Sequence, residues 1–390
     1  MTVTQRATPP LLKDLNERAV LETIRDGSPI SRAEISRRAG ISKPTVSQAL
    51  ESLLDAGLVR ESSRYPGGPS YGAVFFEPVE DAALVLGFDL GARFLRGALC
   101  DLRGDVRARQ DVALEGAGAE EVLAAIDSLH ASLVGSSGLT DGAMDGAVIG
   151  VPGVVDGAGQ RITLAENVPG LEGRPFRAEL EERLGMTVTV ENDINLAALG
   201  EQAQGVARGV EDFVFLSIGT GLGSGVVLRG ELHRGHNGAA GELDGARAGM
   251  SDDFDPCAAA LTVLAEQIAA GAETELRQPY TGRTIFAAAR RGDTVAQALV
   301  QEEARRIALH IVPIAAVADV ALVVLGGGIG ANGDLLLAPV RALLSEWLPY
   351  PPRVEVSSLG DAAVLTGAVA VGLRAALDNV FVSRSRRRRA

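Results

Sequence analysis

The chain has 390 residues, enough for two or three domains of ordinary size. Hydrophobic residues make up 46% and charged residues 22%, a composition that excludes a disordered or collagen-like chain. The net charge of −13 is uneven, because residues 1–76 carry ten basic and eight acidic side chains whereas residues 77–383 carry 22 and 42. A surface that acidic repels phosphate, so nucleic-acid contacts are expected from the first 76 residues.

Membrane and secreted classes are also disfavoured. No run of about 18 apolar residues occurs, and the N-terminal residues lack the apolar core of a signal peptide. We therefore expect a soluble, cytoplasmic protein that works at the nucleoid and has no membrane partner. The two cysteines, Cys100 and Cys257, are too few for a disulfide framework or a four-cysteine zinc site.

The first 78 residues have the pattern of a winged helix-turn-helix. Ser31 and Glu34 form a capping-box pattern that begins a helix, and Gly40 is a candidate left-handed cap at its end. Ser42 is the candidate N-cap of the next helix. The pattern predicts helices over 11–26, 31–40 and 42–56, and a hairpin of strands at 58–59 and 73–76.

From Pro78 onward the pattern changes to alternating strands and helices. A strand, a glycine turn and a second strand over 83–101 recur over 213–228. Two such copies predict a duplicated fold with a cleft between two lobes. Further strands are predicted at 147–151, 187–190, 321–325 and 354–356, and helices at 119–134, at 175–185, within 256–319 and at 361–377.

Seven motifs follow the helix-turn-helix in order: LGFDLGARFLRGALCDLRGD, GVPGVVD, ENVPG, VENDINLAALGE, LSIGTGLGSGVV, GAAGELDG and LGGGIG. The helix-turn-helix that precedes them reads ISRAEISRRAGISKPTVSQALESLLDAGLV. Together, this segment and the order of the motifs resemble the ROK family (repressor, open reading frame, kinase), specifically its transcriptional regulators. The resemblance covers nearly the whole chain. It implies an N-terminal winged helix-turn-helix and a two-lobed, actin-like (ribonuclease H-like, duplicated) α/β domain, whose sugar-kinase relatives bind sugar and ATP in the cleft.

We therefore predict a sequence-specific repressor of sugar metabolism or transport genes, controlled by a carbohydrate or sugar-phosphate effector. A homodimer or homotetramer is expected, because two recognition helices on a palindromic operator multiply a modest half-site affinity. Two alternatives remain open: an active ROK-type sugar kinase with an accessory DNA-binding domain, and a regulator whose kinase-like domain is a ligand-blind dimerisation module. The predicted parts are a DNA-binding domain (1–78), an effector domain (79–380, with its cleft near 192–242) and a basic disordered tail (381–390).

In a helix-turn-helix, the N-terminal side chains of the second helix face base edges in the major groove. Gln48 suits a bidentate pair with adenine, and Lys43 suits guanine or phosphate. Gly67-Gly68-Pro69 stands where related regulators commonly have Gly-Arg, so Arg64 is the candidate for the minor groove. The alternative is a solvated polar face that contacts protein. The candidate DNA-binding residues are Ser42, Lys43, Thr45, Ser47, Gln48 and Arg64.

Polar residues at the end of a predicted strand indicate a sugar site. Asn192 and Asp193 follow the strand at 187–190, and the carboxyl ends of strands are where α/β clefts open. An amide and a carboxylate suit sugar hydroxyls. The family resemblance implies that Asp193 matches the catalytic base of the kinases, that Glu242 matches a sugar-binding glutamate, and that Asn167 lies in a loop near the sugar. The alternative for each residue is a helix cap or a surface turn.

One departure from the family concerns zinc. The usual Glu-x-Gly-His, whose histidine binds zinc and sugar, reads Glu242-Leu243-Asp244-Gly245 here, and the cysteine cluster expected next is missing. We therefore expect no metal site and no cofactor. His236, Asp244 and Cys257 are substitute ligands only in a less favoured alternative, because their spacing fits no known pattern.

A second departure concerns phosphate. The Asp-x-Gly-x-Thr loop of the kinases reads Asp89-Leu90-Gly91-Ala92-Arg93, so a bulky cation replaces the threonine. Arg93 is also a candidate partner for a phosphate on the ligand. No catalytic residue is assigned, except Asp193 if the protein is a kinase. The residues predicted to form a vestigial phosphate and nucleotide cradle, or simply tight turns, are Asp89, Gly91, Gly219, Thr220, Gly221, Gly326 and Gly327.

Overall fold

A computed structural model describes residues 9–63, 73–114, 116–138, 144–156, 161–165, 167–244 and 254–387. The helices are α1 Pro9–Gly27, α2 Arg32–Ala39, α3 Lys43–Asp55, α4 Ala119–Ser137, α5 Phe176–Leu184, α6 Asp193–Gln204, α7 Ala258–Ala269, α8 Gly282–Arg290, α9 Thr294–Ala318, α10 Gly327–Gly330, α11 Gly333–Trp347 and α12 Ala363–Arg387. The strands are β1 Ile30–Ser31, β2 Val59–Glu61, β3 Phe75–Pro78, β4 Leu84–Leu90, β5 Phe94–Asp101, β6 Val106–Ala113, β7 Gly146–Val151, β8 Val154–Val155, β9 Ile162–Thr163, β10 Val188–Asn192, β11 Phe213–Ile218, β12 Leu222–Leu228, β13 Glu231–Leu232, β14 Leu322–Gly326 and β15 Arg353–Val356.

Helices α1 to α3 and a three-stranded sheet, in the order β1-β3-β2, form the predicted winged helix-turn-helix. Ser31 caps α2 as predicted, because its hydroxyl accepts a hydrogen bond from the N–H of Glu34 at 3.3 Å. The other half of the predicted capping box is wrong. The Glu34 carboxylate accepts hydrogen bonds from Arg37 and Arg38, which lower its pKa to about 2. Two guanidinium groups one turn further along give stronger, charge-assisted bonds than a single backbone amide.

The predicted duplication is confirmed by two five-stranded sheets of the same topology. Their orders are β10-β7-β4-β5-β6 and β15-β14-β11-β12-β13. In each sheet the central strand, β4 or β11, pairs antiparallel with the strand that follows it and parallel with a later strand. The carboxyl ends of the parallel strands therefore meet at corresponding edges of the two lobes.

Helices α6 and α12 cross between the two sheets. At the crossing, a Cβ added to Gly200 would lie 2.2 Å from the carbonyl oxygen of Ala363, and one added to Gly367 would lie 1.8 Å from that of Leu196. No side chain fits at those distances, so the two backbones touch because both positions are glycine. Helix α6 also packs on β11 and β12, and α12 packs on β4 and β7.

The DNA-binding domain shares an apolar core with the first lobe. Arg18 of α1 forms an ion pair with Asp378 of α12, and Asp26 forms one with Arg208 at 2.6 Å. We call the shared set of buried residues the junction core. It contains Val20, Leu21 and Ile24 of α1, Val85 of β4, Ala98 and Cys100 of β5, and Leu365, Val369, Leu373, Ala376 and Leu377 of α12.

Helix α12 is longer than the sequence predicts. It continues past residue 377 to Arg387, so disorder does not describe the backbone of residues 381–387. This stretch contains no glycine or proline, the residues that most often end a helix. Residues 360–379 are long and apolar enough to cross a membrane by length and composition alone, but half of that window is buried inside the fold. This is typical of a core helix in a globular protein.

A carboxyl group is buried in the core of the second lobe. Glu303 on α9 is fully buried, and its carboxylate oxygens accept no hydrogen bond from the described residues. Burial raises the pKa of Glu303 well above its ordinary value, although the nearby Arg306 opposes the shift. The folded state therefore favours a neutral carboxyl at this position.

We predict that Glu303→Gln removes a pH-dependent loss of stability. A carboxyl whose pKa is raised by folding destabilises the protein increasingly as the pH rises above the unfolded-state value. The free energy of unfolding of the wild type should therefore fall relative to that of Glu303→Gln between about pH 5 and about pH 7.5, as measured by urea titration.

The control is Glu302→Gln on the adjacent residue, whose pKa is lowered by Arg305. That variant should show no such trend over this interval, because a carboxyl of lowered pKa is ionised throughout it in both states. A wild type that gains stability relative to Glu303→Gln with rising pH would mean that Glu303 is ionised and paired.

Candidate functional site

The N-terminal turns of α3 carry the residues predicted to read DNA. Lys43 and Gln48 are exposed there. The hydroxyls of the other three are engaged within the helix: Ser42 accepts from the N–H of Thr45 and lies 2.8 Å from its hydroxyl, and Ser47 donates to the carbonyl of Lys43. Arg64 lies outside the described residues. Lys43 and Gln48 are therefore the side chains best placed to reach a base or a phosphate.

A cavity of about 680 Å³ opens between the two lobes. All four residues predicted to bind the ligand lie in its wall: Asn167, Asn192, Asp193 and Glu242. The rest of the wall comes from both lobes and consists of Pro152, Gly153, Leu164, Ile194, Ser217, Gly219, Thr220, Gly221, Leu222, Gly223, Asp244, Gly327 and Gly328. A volume of this size is typical of a small-molecule site.

Asp193 is the first residue of α6, so its carboxylate lies at the N-terminus of that helix. One oxygen accepts a hydrogen bond from the N–H of Ile194 at 2.8 Å. Burial raises the pKa of Asp193 to about 7, and the negative charges of Asp89 and Glu242 add to the shift. A carboxylate of that pKa is a good acceptor for a hydroxyl proton.

Asn192 is held in a structural role. Its side-chain oxygen accepts from the N–H of Asn195 at 2.9 Å and so caps α6, while its amide nitrogen donates to the carbonyl of Gly153 at 2.9 Å. The cap proposed as the alternative is thus present, although Asn192 also lines the cavity. Its contact with a ligand stays a prediction.

An ion pair that sequence reasoning missed holds the loop carrying Glu242. Glu191, at the end of β10, is buried, and its carboxylate accepts from Arg234 at 2.6 and 2.8 Å. The same carboxylate accepts from the side chain of Asn195. Arg234 stands eight positions before Glu242, so this ion pair fastens that loop of the second lobe to the end of β10 in the first lobe. The only signal in the sequence was Glu191 beside Asn192 in VEND.

The predicted phosphate residues divide into two groups. Gly219, Thr220, Gly221 and Gly327 line the cavity, whereas Asp89, Gly91 and Gly326 do not. A Cβ on Gly326 would lie 2.3 Å from the ring of Phe215, so this glycine is needed for packing.

Asp89 is buried and pairs with Arg96 at 2.9 Å, and Gly91 closes a backbone turn through a hydrogen bond from its N–H to the carbonyl of Phe94. Only part of the predicted phosphate and nucleotide cradle therefore faces the cavity. Arg93 is exposed and does not line the cavity.

Metal ligation finds no support in the part of the chain that the structure describes. Among those residues, no group of three or more histidine, cysteine, aspartate or glutamate side chains is placed to hold a metal ion. Cys257 is buried, His236 is exposed, and residues 245–253 lie outside the described ranges.

A winged helix-turn-helix fused to a two-lobed α/β domain with an acidic cleft defines a class of DNA-binding sensor built on a sugar-kinase-like fold. The model of the ROK family matches residues 85–375, and the chain belongs to that family. Residues 14–67 match a model of the MarR family.

The relatives include a repressor and a kinase. The xylose repressor of Caldicellulosiruptor bescii is 27% identical over 93% of this chain and 96% of its own length. A ROK family transcriptional regulator, a homologue of the E. coli MLC protein, shares the fold with a TM-score of 0.78 at 22% identity, over 95% of this chain and 98% of that one. A ROK family glucokinase from Streptomyces griseus, solved with glucose and AMPPNP, has a TM-score of 0.63 at 27% identity, over 74% of this chain and 99% of that one.

We predict that Arg234→Met costs about 1–3 kcal/mol of stability, the usual penalty for a buried acceptor that loses a hydrogen-bond partner, because it removes the guanidinium group from the buried carboxylate of Glu191. Urea unfolding measures the loss. Arg291→Met is the matched control: its ion pair with Glu275 is exposed on both sides, and such pairs contribute well under about 1 kcal/mol. Equal losses in the two variants would contradict the assigned role of Arg234.

Proposed function

We propose that this chain is a repressor of carbohydrate genes that binds operator DNA through α3 and responds to a carbohydrate held in the cleft. The observation that carries the proposal is an unbroken series of contacts between the cleft and the DNA-binding domain. The cleft ends at α6, α6 touches α12, and α12 shares the junction core with α1 of the DNA-binding domain. The xylose repressor relative, which matches over nearly the whole chain, supports the same function.

The proposed mechanism is a shift between two arrangements of the lobes. A ligand that contacts Asp193 in the first lobe and Glu242 in the second binds better when the cleft is closed. Such differential affinity is required for any ligand to move a conformational equilibrium. Closure would tilt α6 and α12 together, and α12 would then move α1 through the Arg18–Asp378 ion pair and the junction core.

Operator binding places α3 in the major groove, with Lys43 and Gln48 as the readers and Arg64 as the candidate for the minor groove. We propose that the protein acts in the cytoplasm as a homodimer or homotetramer, with no resident metal or cofactor. A symmetric assembly matches a palindromic operator.

We predict different effects for Gln48→Ala and Lys43→Ala. If Gln48 reads a base, its loss should cost about 1–3 kcal/mol and relax specificity at one operator position. If Lys43 meets a phosphate, its loss should weaken binding to all sequences alike and reduce the salt slope by about one. Fluorescence anisotropy on genomic fragments bound by the wild type, at several salt concentrations, separates the two effects.

Glu51→Ala, at an exposed position in the second half of α3, is the control and should leave affinity nearly unchanged. Unaltered operator affinity in the Lys43→Ala, Gln48→Ala double variant would overturn the proposed docking.

A sugar kinase is the second candidate, and the likeness to the Streptomyces griseus glucokinase favours it. Two local features count against phosphoryl transfer. Asp89 is occupied by its ion pair with Arg96, and Arg93 takes the place of the threonine that the kinases use. Phosphoryl transfer depends on positioning and charge stabilisation, which a split cradle supplies poorly. A ligand-blind dimerisation module has less support, because the cleft is open and lined by the predicted ligand residues.

We predict that Asp193→Ala abolishes the response to ligand and leaves operator affinity intact. Wild-type protein should release operator DNA on addition of at least one sugar from a panel of neutral, amino and phosphorylated sugars, without consuming ATP. The response should weaken as the pH falls below about 7, the pKa of Asp193, because a protonated carboxyl accepts less well. Operator release followed by anisotropy across pH, beside a coupled ATP assay, measures both.

Glu211→Ala, an exposed carboxylate outside the cavity, should keep the full response. The proposal fails if the wild type phosphorylates a sugar steadily, or if Asp193→Ala still releases the operator fully.

A further inference from the structure

The backbone passes between the two lobes at two places. It leaves the first lobe through α6 and reaches β11 of the second lobe through residues 205–212, which we call the first crossover. It returns from β15 to α12 through residues 357–362, which we call the second crossover. Hinges between domains are usually a few residues in loops or at the ends of elements, so opening or closing of the cleft is expected to bend these two segments.

A single buried carboxylate is hydrogen-bonded to both crossovers. Glu201 lies near the end of α6 and is fully buried. One of its oxygens accepts from the N–H of Val206 in the first crossover at 2.8 Å. The other oxygen accepts from the hydroxyl of Ser357 and from the N–H of Leu359 at 3.2 Å, both in the second crossover. Glu201 therefore joins the two segments where the chain changes lobes.

The backbone around Glu201 is shaped to hold its carboxylate. A Cβ on Gly205 would lie 1.9 Å from a carboxylate oxygen of Glu201, so the first crossover lies against that oxygen because this position is glycine. Ser357 is also held in place. Its N–H donates to the carbonyl of Leu325 in β14, and its hydroxyl accepts from the N–H of Gly360 at 2.9 Å. The link thus reaches from α6 to the sheet of the second lobe.

Burial of a carboxylate costs free energy unless several donors compensate for the lost water. A side chain that only ended α6 would need the N–H of Val206 alone. The three donors to Glu201 come from two separate segments of the chain, so the burial is compensated only while both crossovers stay in place. Displacement of one crossover relative to the other would leave a buried oxygen of Glu201 without a donor.

Both crossovers lie next to parts of the molecule that contact the DNA-binding domain. Arg208, in the first crossover, forms the ion pair with Asp26 of α1. That pair is exposed and contributes little stability, but it shows that the first crossover lies beside α1. The second crossover leads directly into α12, which shares the junction core with α1.

We propose that Glu201 is a positioning residue for movement of the lobes: it holds the two crossovers together so that they bend as one hinge. The lobes then move along one path and do not shift independently at each crossover. The effect of this movement on DNA rests on the proposed function, in which closure of the cleft alters operator binding. The hinge itself is tested without a ligand or an operator.

Two variants weaken the link between the crossovers. Glu201→Gln keeps the size of the side chain but has one acceptor oxygen, and its amide group faces the donors of one crossover, so only one crossover stays bonded. Ser357→Ala is milder, because the N–H of Leu359 still donates to Glu201. Thr262→Val is the matched control: it removes a partly buried hydroxyl that donates to two backbone carbonyls within the second lobe.

The distance between the lobes is measured by double electron–electron resonance in the full chain. Spin labels are attached at Ala178→Cys in α5 of the first lobe and at Ala338→Cys in α11 of the second, and both positions are exposed. The two native cysteines are buried, so the labels attach to the introduced ones.

Glu201→Gln should broaden or shift the distance distribution by about 2 Å or more, the scale of a domain rearrangement. Ser357→Ala should change it in the same way but less, and Thr262→Val should reproduce the wild type. Urea unfolding of the same variants shows whether Glu201 only stabilises the fold. In that case Ser357→Ala would lose stability as Thr262→Val does, with the wild-type distance distribution in both, and the proposal would be overturned. If Glu201→Gln does not fold, the comparison of Ser357→Ala with Thr262→Val decides.

Operator affinity separates this inference from the proposed function. On genomic fragments bound by the wild type, Ser357→Ala should bind about two- to thirtyfold more weakly, the usual effect of a substitution between two coupled sites. A changed distance distribution with unaltered operator affinity would support the role of Glu201 in the hinge and contradict the proposed transmission of lobe movement to DNA.

Discussion

The contact between α6 and α12 joins the two sheets, the cleft and the DNA-binding domain to one another. Gly200 and Gly367 let the two backbones touch, and a methyl group at either position would collide with a carbonyl oxygen. Asp193, at the N-terminus of α6, lines the cleft, and the rest of α6 packs on the second sheet. Helix α12 packs on the first sheet and shares the junction core with α1. Because the helices meet without intervening side chains, they are coupled stiffly. Side-chain packing could repack around a small displacement, whereas two backbones in contact must move together.

Local patterns in the sequence predicted the architecture well. The Ser31 and Ser42 caps and the recurring strand-turn-strand segments each depend on neighbours within a few residues, and the structure contains all of them. The errors arose where a competing partner lay one turn away or where no stop signal existed. The Glu34 carboxylate accepts hydrogen bonds from Arg37 and Arg38 instead of from a backbone amide. Helix α12 continues beyond residue 377 to Arg387.

The candidate site was predictable as a list of residues but not as an arrangement. Motif order placed Asn167, Asn192, Asp193 and Glu242 in one cavity, and the sequence offered a helix cap as the alternative for Asn192, but it gave no means of seeing that Asn192 both caps α6 and lines the cavity. The Glu191–Arg234 ion pair and the hydrogen bond from Ser357 to Glu201 each join segments more than 20 positions apart. Such contacts depend on how two lobes face each other, which periodicity and local spacing do not encode.

The junction core limits the modularity of this regulator. Val20, Leu21 and Ile24 of the DNA-binding domain are buried in the same cluster as residues of β4, β5 and α12. A fragment that ends near residue 78 would expose that apolar face to water. In a chimera with the DNA-binding domain of another protein, the α12 side of the cluster would lack complementary side chains to pack against. An exchange of operator specificity between such proteins would therefore succeed more readily by altering the exposed face of α3 than by transplanting the domain.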